Sequence, residues 1–233
     1  MVLYKFLPEV FADSLLDGTI LFRNLIYFKR LEHGPRVDLF EGIHSDAPDH
    51  DVKLTDVKTG RSISGRYAFH NTSKKPEHIF VFCTSMACGD ALTKFGETCV
   101  RINDVQEFTR RIQRALASKK TLLRLEKPVL LANPITYYRP NTAAPPHIDV
   151  KNPRHLPFVK RHDYADEQEF RFVFARRGGY ELKERIVTRH YSELNDIAGR
   201  KEAEHRLRIG QIRDIAERVS LGSAGAVRPD SAA

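Results

Sequence analysis

Hydrophobic positions come in short bursts along this chain, and most of the bursts have the length of strands. Leu3 to Phe6 is apolar and aromatic, stops before Pro8, and predicts an opening strand. Val10, Phe11, Leu15 and Leu16 then recur at helical spacing from Pro8 to Leu16, with Asp17-Gly18 as the stop. Thr19 to Arg23 predicts a second strand, followed by Tyr27-Phe28 and a charged stretch through His44. Residues 45–64 are rich in Asp, Pro, Gly and Ser and predict an exposed excursion or ragged hairpin. Gly65–Phe69, Ile79–Ser85, Thr98–Ile102, Thr121–Leu125, Pro134–Tyr138 and Glu169–Ala175 all have strand character. A proline-rich loop is expected from Arg139 to Pro157.

Two segments predict helices. Asn103-Asp104 caps a helix over Val105 to Ala117, with Val105, Phe108, Ile112 and Leu116 on one face. From Tyr191 to Val219, Leu194, Ile197, Leu207, Ile209, Ile212 and Ile215 recur among charges, predicting one helix, or two broken at Gly199 or Gly210. The expected organisation is one α+β domain over residues 1–190 with a mixed, mainly antiparallel sheet. A helical extension over 191–220 would pack on it, ahead of a flexible tail at 221–233.

Composition narrows the class. Apolar residues at 41% and charged residues at 29% exclude a disordered or collagen-like chain. With no Trp among 233 residues, the aromatic core must come from 14 Phe and 8 Tyr. Lys and Arg (38) exceed Asp and Glu (30), a net +8 that favours anionic partners. The surplus divides equally between residues 1–150 and 151–233, so it forms no basic arm. No apolar run has the roughly 18–20 residues needed to span a bilayer, and the first residues lack a signal-peptide pattern. Cys83, Cys88 and Cys99 form no CxxC pair, which predicts reduced thiols and a cytoplasmic protein. The ten His lack zinc spacing, and there is no GxGxxG, P-loop or GxSxG, so no metal site is expected.

Three groups of residues could carry chemistry. On a strand, Phe170, Phe172 and Phe174 share one face, and Glu167, Glu169 and Arg171 share the other. Those two carboxylates and the guanidinium are either a solvated face of neighbouring charges or a site. Thr84 and Ser85 end a buried strand, and either cap a turn or hydrogen-bond a ligand. Tyr4-Lys5, Arg23 and Tyr27-Phe28 place cations beside aromatics, which suits a phosphate and a heterocycle, or else ordinary core and surface.

Taken together these segments resemble a large, poorly characterised bacterial family that opens on a Leu-Tyr-x-Tyr/Phe strand, followed by a short helix, a glycine, a strand and an acidic motif. Leu3-Tyr4-Lys5-Phe6, Leu15-Leu16-Asp17-Gly18, Ile20-Leu21-Phe22, Asp38–Glu41, Cys83-Thr84-Ser85, Leu92-Thr93-Lys94-Phe95-Gly96, Phe158-Val159-Lys160, Tyr164 and Glu167-Gln168-Glu169-Phe170-Arg171 carry the likeness, in order, over residues 1–176. The layout is also similar to that of ADP-ribosyltransferases: a basic residue or His on a first strand, Ser-Thr-Ser on a second, and Gln/Glu-x-Glu on a later one. Lys5, Cys83-Thr84-Ser85 and Glu167-Gln168-Glu169 take those places, with Lys for the usual Arg or His and Cys for the first Ser.

The resemblance implies NAD as co-substrate. Glu169 would stabilise the cation left on the ribose, and Glu167 would orient or deprotonate the acceptor. Thr84 or Ser85 would hold Glu169, Tyr27 or Phe28 would stack on nicotinamide, and Lys5 or Arg23 would offset the diphosphate; Tyr4 belongs to the same group. It also implies a toxin or phage-defence role; the basic charge leans toward a nucleic-acid acceptor, with a protein acceptor left open. Two other readings stand beside it: a non-catalytic nucleic-acid-binding or protein-interaction module on the same scaffold, and a metal-dependent nuclease built on Asp38, Glu41 and Glu169.

Overall fold

Alternating apolar positions do produce strands through most of the chain. The computed structural model describes residues 1–30, 40–142, 147–188 and 199–219. Its elements in order are β1 (Leu3–Leu7), α1 (Ala12–Leu16) after a 3-10 turn at Glu9–Phe11, β2 (Thr19–Asn24), α2 (Leu25–Lys29), β3 (Ile43–Asp46), β4 (Val52–Thr55), β5 (Ser62–Gly65), β6 (Tyr67–Ser73) and β7 (Ile79–Ser85). There follow β8 (Thr98–Ile102), α3 (Val105–Ser118), α4 (Lys120–Leu123), β9 (Leu131–Pro134), β10 (Thr136–Tyr138), β11 (Val159–Arg161), β12 (Glu169–Ala175), β13 (Leu182–Thr188), β14 (Glu204–Arg208) and β15 (Ala216–Val219). The architecture is mixed α+β with mostly antiparallel sheets.

The main sheet has eight strands, in the order β14-β2-β7-β1-β8-β15, with β12 and then β9 added on β7. A second sheet joins β13, β6 and β3, β4–β5 form the expected hairpin, and β10–β11 is a parallel pair. β7 lies at the centre of the main sheet. One of its edges pairs with β12 along its whole length, from Ile79 opposite Ala175 to Ser85 opposite Glu169. The other edge is shared: β2 takes Phe80 and Val81, and β1 takes only Ser85. β1 and β2 therefore fork away from one strand edge, and the fork opens over Phe82–Thr84.

The period of two sorts β7 and β12 into faces. Phe80, Phe82, Phe170, Phe172 and Phe174 point to one side, where Phe22 and Phe108 join them. Phe80 and Phe174 stack at 5.0 Å, and Phe108 meets Phe172 edge-on at 5.3 Å. Phe108 comes from α3, whose N-cap carboxylate, Asp104, accepts from the Glu107 N–H at 2.9 Å. Each fully buried ring contributes about 1.5–3 kcal/mol, so this aromatic layer replaces the missing Trp. The opposite face is apolar at Ile79, Val81, Val173 and Ala175, then turns polar and charged at Cys83, Ser85, Glu169 and Arg171.

Two expectations fail. Thr121–Leu125 is not a strand: α4 covers Lys120–Leu123 and closes on Arg124 in the left-handed conformation, φ 51°. The helical C-terminal extension is replaced by β14 and β15, which pair with β2 and β8 inside the main sheet. The helical reading counted Leu207 with Ile209 and Ile212. In fact His205 and Leu207 face inward, while Glu204, Arg206 and Arg208 stay exposed, a period of two. Gly18 (φ +86°) and Gly210 (φ +81°) then bring two turns together, since a Cβ on Gly18 would fall 1.8 Å from the Gly210 carbonyl oxygen. Residues 191–198 and the tail 221–233 lie outside the described residues, as does Asp38. No described helix is long and apolar enough to cross a membrane.

Candidate functional site

The fork in the sheet is the mouth of a cavity of about 610 Å³. All nine residues singled out from the sequence line it: Tyr4 and Lys5 from β1, Arg23 from β2, Tyr27 and Phe28 from α2, Thr84 and Ser85 from β7, Glu167 from the 3-10 turn before β12, and Glu169 at the start of β12. The topology explains the meeting, because Ser85 lies opposite Tyr4 on one side and Glu169 on the other. Where β1 leaves β7, the Cys83 carbonyl loses a strand partner and accepts instead from Lys5 Nζ at 2.8 Å. The same ammonium stands 4.9 Å above the Phe82 ring.

The charges at the end of β12 are not a solvated face. Glu167 and Glu169 are each 6% exposed, and Arg171 is 1% exposed. A buried guanidinium needs all five N–H donors satisfied, and here all five are. Nε donates to Glu169 Oε1 at 2.8 Å, and one terminal nitrogen donates to Glu169 Oε2 at 2.9 Å and Glu41 Oε2 at 3.0 Å. The other donates to Glu41 Oε1 and to the Pro157 carbonyl, the latter at 2.8 Å.

Lys160 extends the network, reaching Glu167 Oε2 at 2.7 Å and Glu169 Oε2 at 3.3 Å, with the Tyr164 ring 4.5 Å from its Nζ. Lys94 takes the remaining Glu167 oxygen at 3.2 Å. Carboxylates and cations thus alternate from Glu41 through Arg171, Glu169, Lys160 and Glu167 to Lys94.

Burial by itself would push the Glu169 carboxyl up, but Arg171 and Lys160 outweigh it and hold the group well below the usual carboxylate range. Lys160 responds in the mirror sense: burial opposes its charge, yet Glu169 and Glu41 hold its ammonium well above the ordinary lysine value. The Tyr137 hydroxyl accepts from the Glu169 N–H at 2.9 Å, and burial pushes that phenol up to about 12.

Two details correct the sequence reading. Glu167 does not belong to β12: it ends a 3-10 turn at His162–Glu167, and Gln168 turns left-handed (φ 41°) before the strand begins. The two carboxylates meet at Lys160 through that turn rather than through strand alternation. Nor do Thr84 and Ser85 hold Glu169. Their hydroxyls donate to the carbonyls of Phe170 at 2.9 Å and Glu167 at 2.8 Å. Cys83 is the β7 side chain bonded to Glu169, and burial, then the nearby carboxylate, push its thiol well up, so it stays protonated.

Sequence reasoning missed Glu41, Lys160 and Arg171 as one unit. Glu41 and Arg171 are 130 positions apart, and the only signal was the acidic motif and the Phe-Val-Lys run within the family likeness. A metal between Glu41 and Glu169 has no room, since Arg171 already bridges them.

No family model matches the chain, and no curated protein or solved structure matches it either. At the outer wall, the Arg23 guanidinium lies 4.6 Å over the Tyr27 ring, and Tyr27 meets Phe28 edge-on at 5.3 Å. Ionised carboxylates at the base, exchangeable cations and aromatic faces at the wall, and a volume within the usual ligand range of about 300–1,000 Å³ suit a nucleotide-sized anion.

Proposed function

We propose that the cavity binds NAD and cleaves its nicotinamide–ribose bond, as an ADP-ribosyltransferase-like enzyme. The observation that carries this reading is the position of Ser85, paired with Tyr4 on β1 and with Glu169 on β12. It brings a basic strand, a hydroxyl-bearing strand and the strand that starts at Glu169 to one cavity.

Loss of nicotinamide leaves positive charge on the ribose, and a carboxylate beneath the ring lowers that barrier only if it is ionised and fixed before the reaction. Glu169 meets both conditions. A carboxyl held so far below its ordinary value is a poor proton acceptor, so its role is electrostatic. Arg171, Lys160 and Cys83 are the positioning residues around it. Glu167, between Lys160 and Lys94, stands where an acceptor would be oriented. Tyr27 and Phe28 supply the stacking surface, with Arg23 and Lys5 facing the diphosphate.

The test is nicotinamide release from NAD together with the shift in melting temperature that NAD produces. Wild-type protein should show both. Glu169→Gln should lose release, and Tyr27→Ala, outside the buried ion network, should raise KM while the protein keeps its own melting temperature. No release and no thermal shift from wild-type protein would refute the reading.

A further inference from the structure

Beside Arg23, β14 brings a second arginine to the same cavity, Arg206, which the NAD reading does not use. β14 pairs with β2 so that Arg206 lies opposite Leu21 and Glu204 opposite Arg23. Arg23 and Arg206 are diagonal neighbours on the cavity side, roughly 7–8 Å apart at Cα by sheet geometry, and both line the cavity. One carboxylate serves both guanidiniums: Glu204 is 2.6 Å from Arg23 and 3.5 Å from Arg206. This rim is left with a net positive charge, and the Arg206 side chain is 73% exposed. Also on the lining is Phe11, a residue 57% exposed on the 3-10 turn that follows β1, next to Val10 at 76%. A large apolar pair this exposed has no part in the core.

A cationic strip with an aromatic platform recognises one chemistry well: a single nucleic-acid strand, with phosphates on the guanidiniums and a base on the ring. An acidic peptide would use the arginines but leave the ring idle. A duplex is too wide for a cavity of about 610 Å³, whereas an unpaired base can enter it. We infer that the acceptor is single-stranded nucleic acid, held at the rim by Arg206 and Phe11 with an unpaired base directed toward Glu167 and Glu169. This rests on the transferase reading above. In the step implied, the bond from nicotinamide nitrogen to C1′ breaks and its electron pair leaves with nicotinamide. A base nitrogen or oxygen bonds to C1′ and gives up its proton to water.

Fluorescein-labelled 12-nucleotide DNA and RNA strands of mixed sequence, single and duplex, provide the probe. Binding is followed by anisotropy across salt concentration, and transfer by NAD labelled in its adenylate phosphate. We expect single strands to bind and to acquire label. Phe11→Ala should weaken binding about tenfold, and Arg206→Ala should lower the salt slope by about 0.7 for the phosphate contact it removes. Both side chains are exposed, and unchanged melting temperatures would show the variants folded. NAD cleavage without single-strand binding, label recovered only on protein, or binding that neither variant weakens would overturn the inference and leave the transferase reading standing. Equal or tighter duplex binding would also overturn it. Strand binding at the rim with no NAD cleavage would instead refute the transferase reading, and with it the acceptor role.

Discussion

Replacing Arg171 by Leu removes all five N–H donors from the middle of the buried network and leaves Glu41 and Glu169 without their shared cation. Breaking a buried pair by removing one partner costs about 3–5 kcal/mol, because a desolvated charge is left behind. At about 2–4 °C per kcal/mol for a chain of this size, the melting temperature should fall by roughly 6–20 °C at pH 7.

The pH dependence is the sharper test. In the native protein the Glu169 carboxyl sits below its ordinary value of 4.5, so its pairing contributes fully above that pH and is lost as pH falls. In Arg171→Leu, burial is no longer offset by the guanidinium. The folded-state pKa of the stranded Glu169 carboxylate rises, and stability recovers as pH falls toward 5. Melting curves by circular dichroism from pH 4.5 to 8 should show the variant regaining stability relative to wild type as pH falls. A loss under about 2 °C at pH 7, or parallel pH profiles, would refute the account of a dry, fully paired cluster. The charge-free triple variant Glu41→Gln, Arg171→Met, Glu169→Gln should recover much of the loss, since well-packed neutral groups often match a buried ion network.

Other consequences can be measured separately. Gly18→Ala forces a Cβ against the Gly210 carbonyl at positive φ and should cost more than about 2 kcal/mol in urea unfolding, above the roughly 1–2 kcal/mol that positive φ alone costs. Burial pushes His44 below its ordinary 6.5, with Asp46 only partly opposing. The unfolded chain then takes up a proton that the folded one resists, so stability should fall as pH drops from about 7 to 5. His44→Gln should flatten that limb of the melting curve relative to wild type. Cys83→Ser, which keeps a donor facing Glu169, should retain nicotinamide release, while Cys83→Ala should lower kcat more than it changes KM.

Local pattern was enough for the elements whose periodicity reports a single environment. Glu169–Ala175 reads as a strand because charged and Phe positions alternate, and Val105–Ala117 as a helix because four apolar residues share a face behind an Asp cap. The same alternation put Glu169 and Arg171 on one face, and composition alone required a Phe core.

The environment of those residues was decided by tertiary contacts. A glutamate and an arginine on one strand face look the same in sequence whether water or Glu41 and Lys160 surround them, and those partners come from distant parts of the chain. Glu204–Arg208 shows the limit from the other side: five residues are too few to separate a period of 2 from one of 3.6, so pairing with β2 settled it. The fork of β1 and β2 on one edge of β7 has no local signature at all. It arises because β7 has two edges and three partners, and it is where the cavity forms.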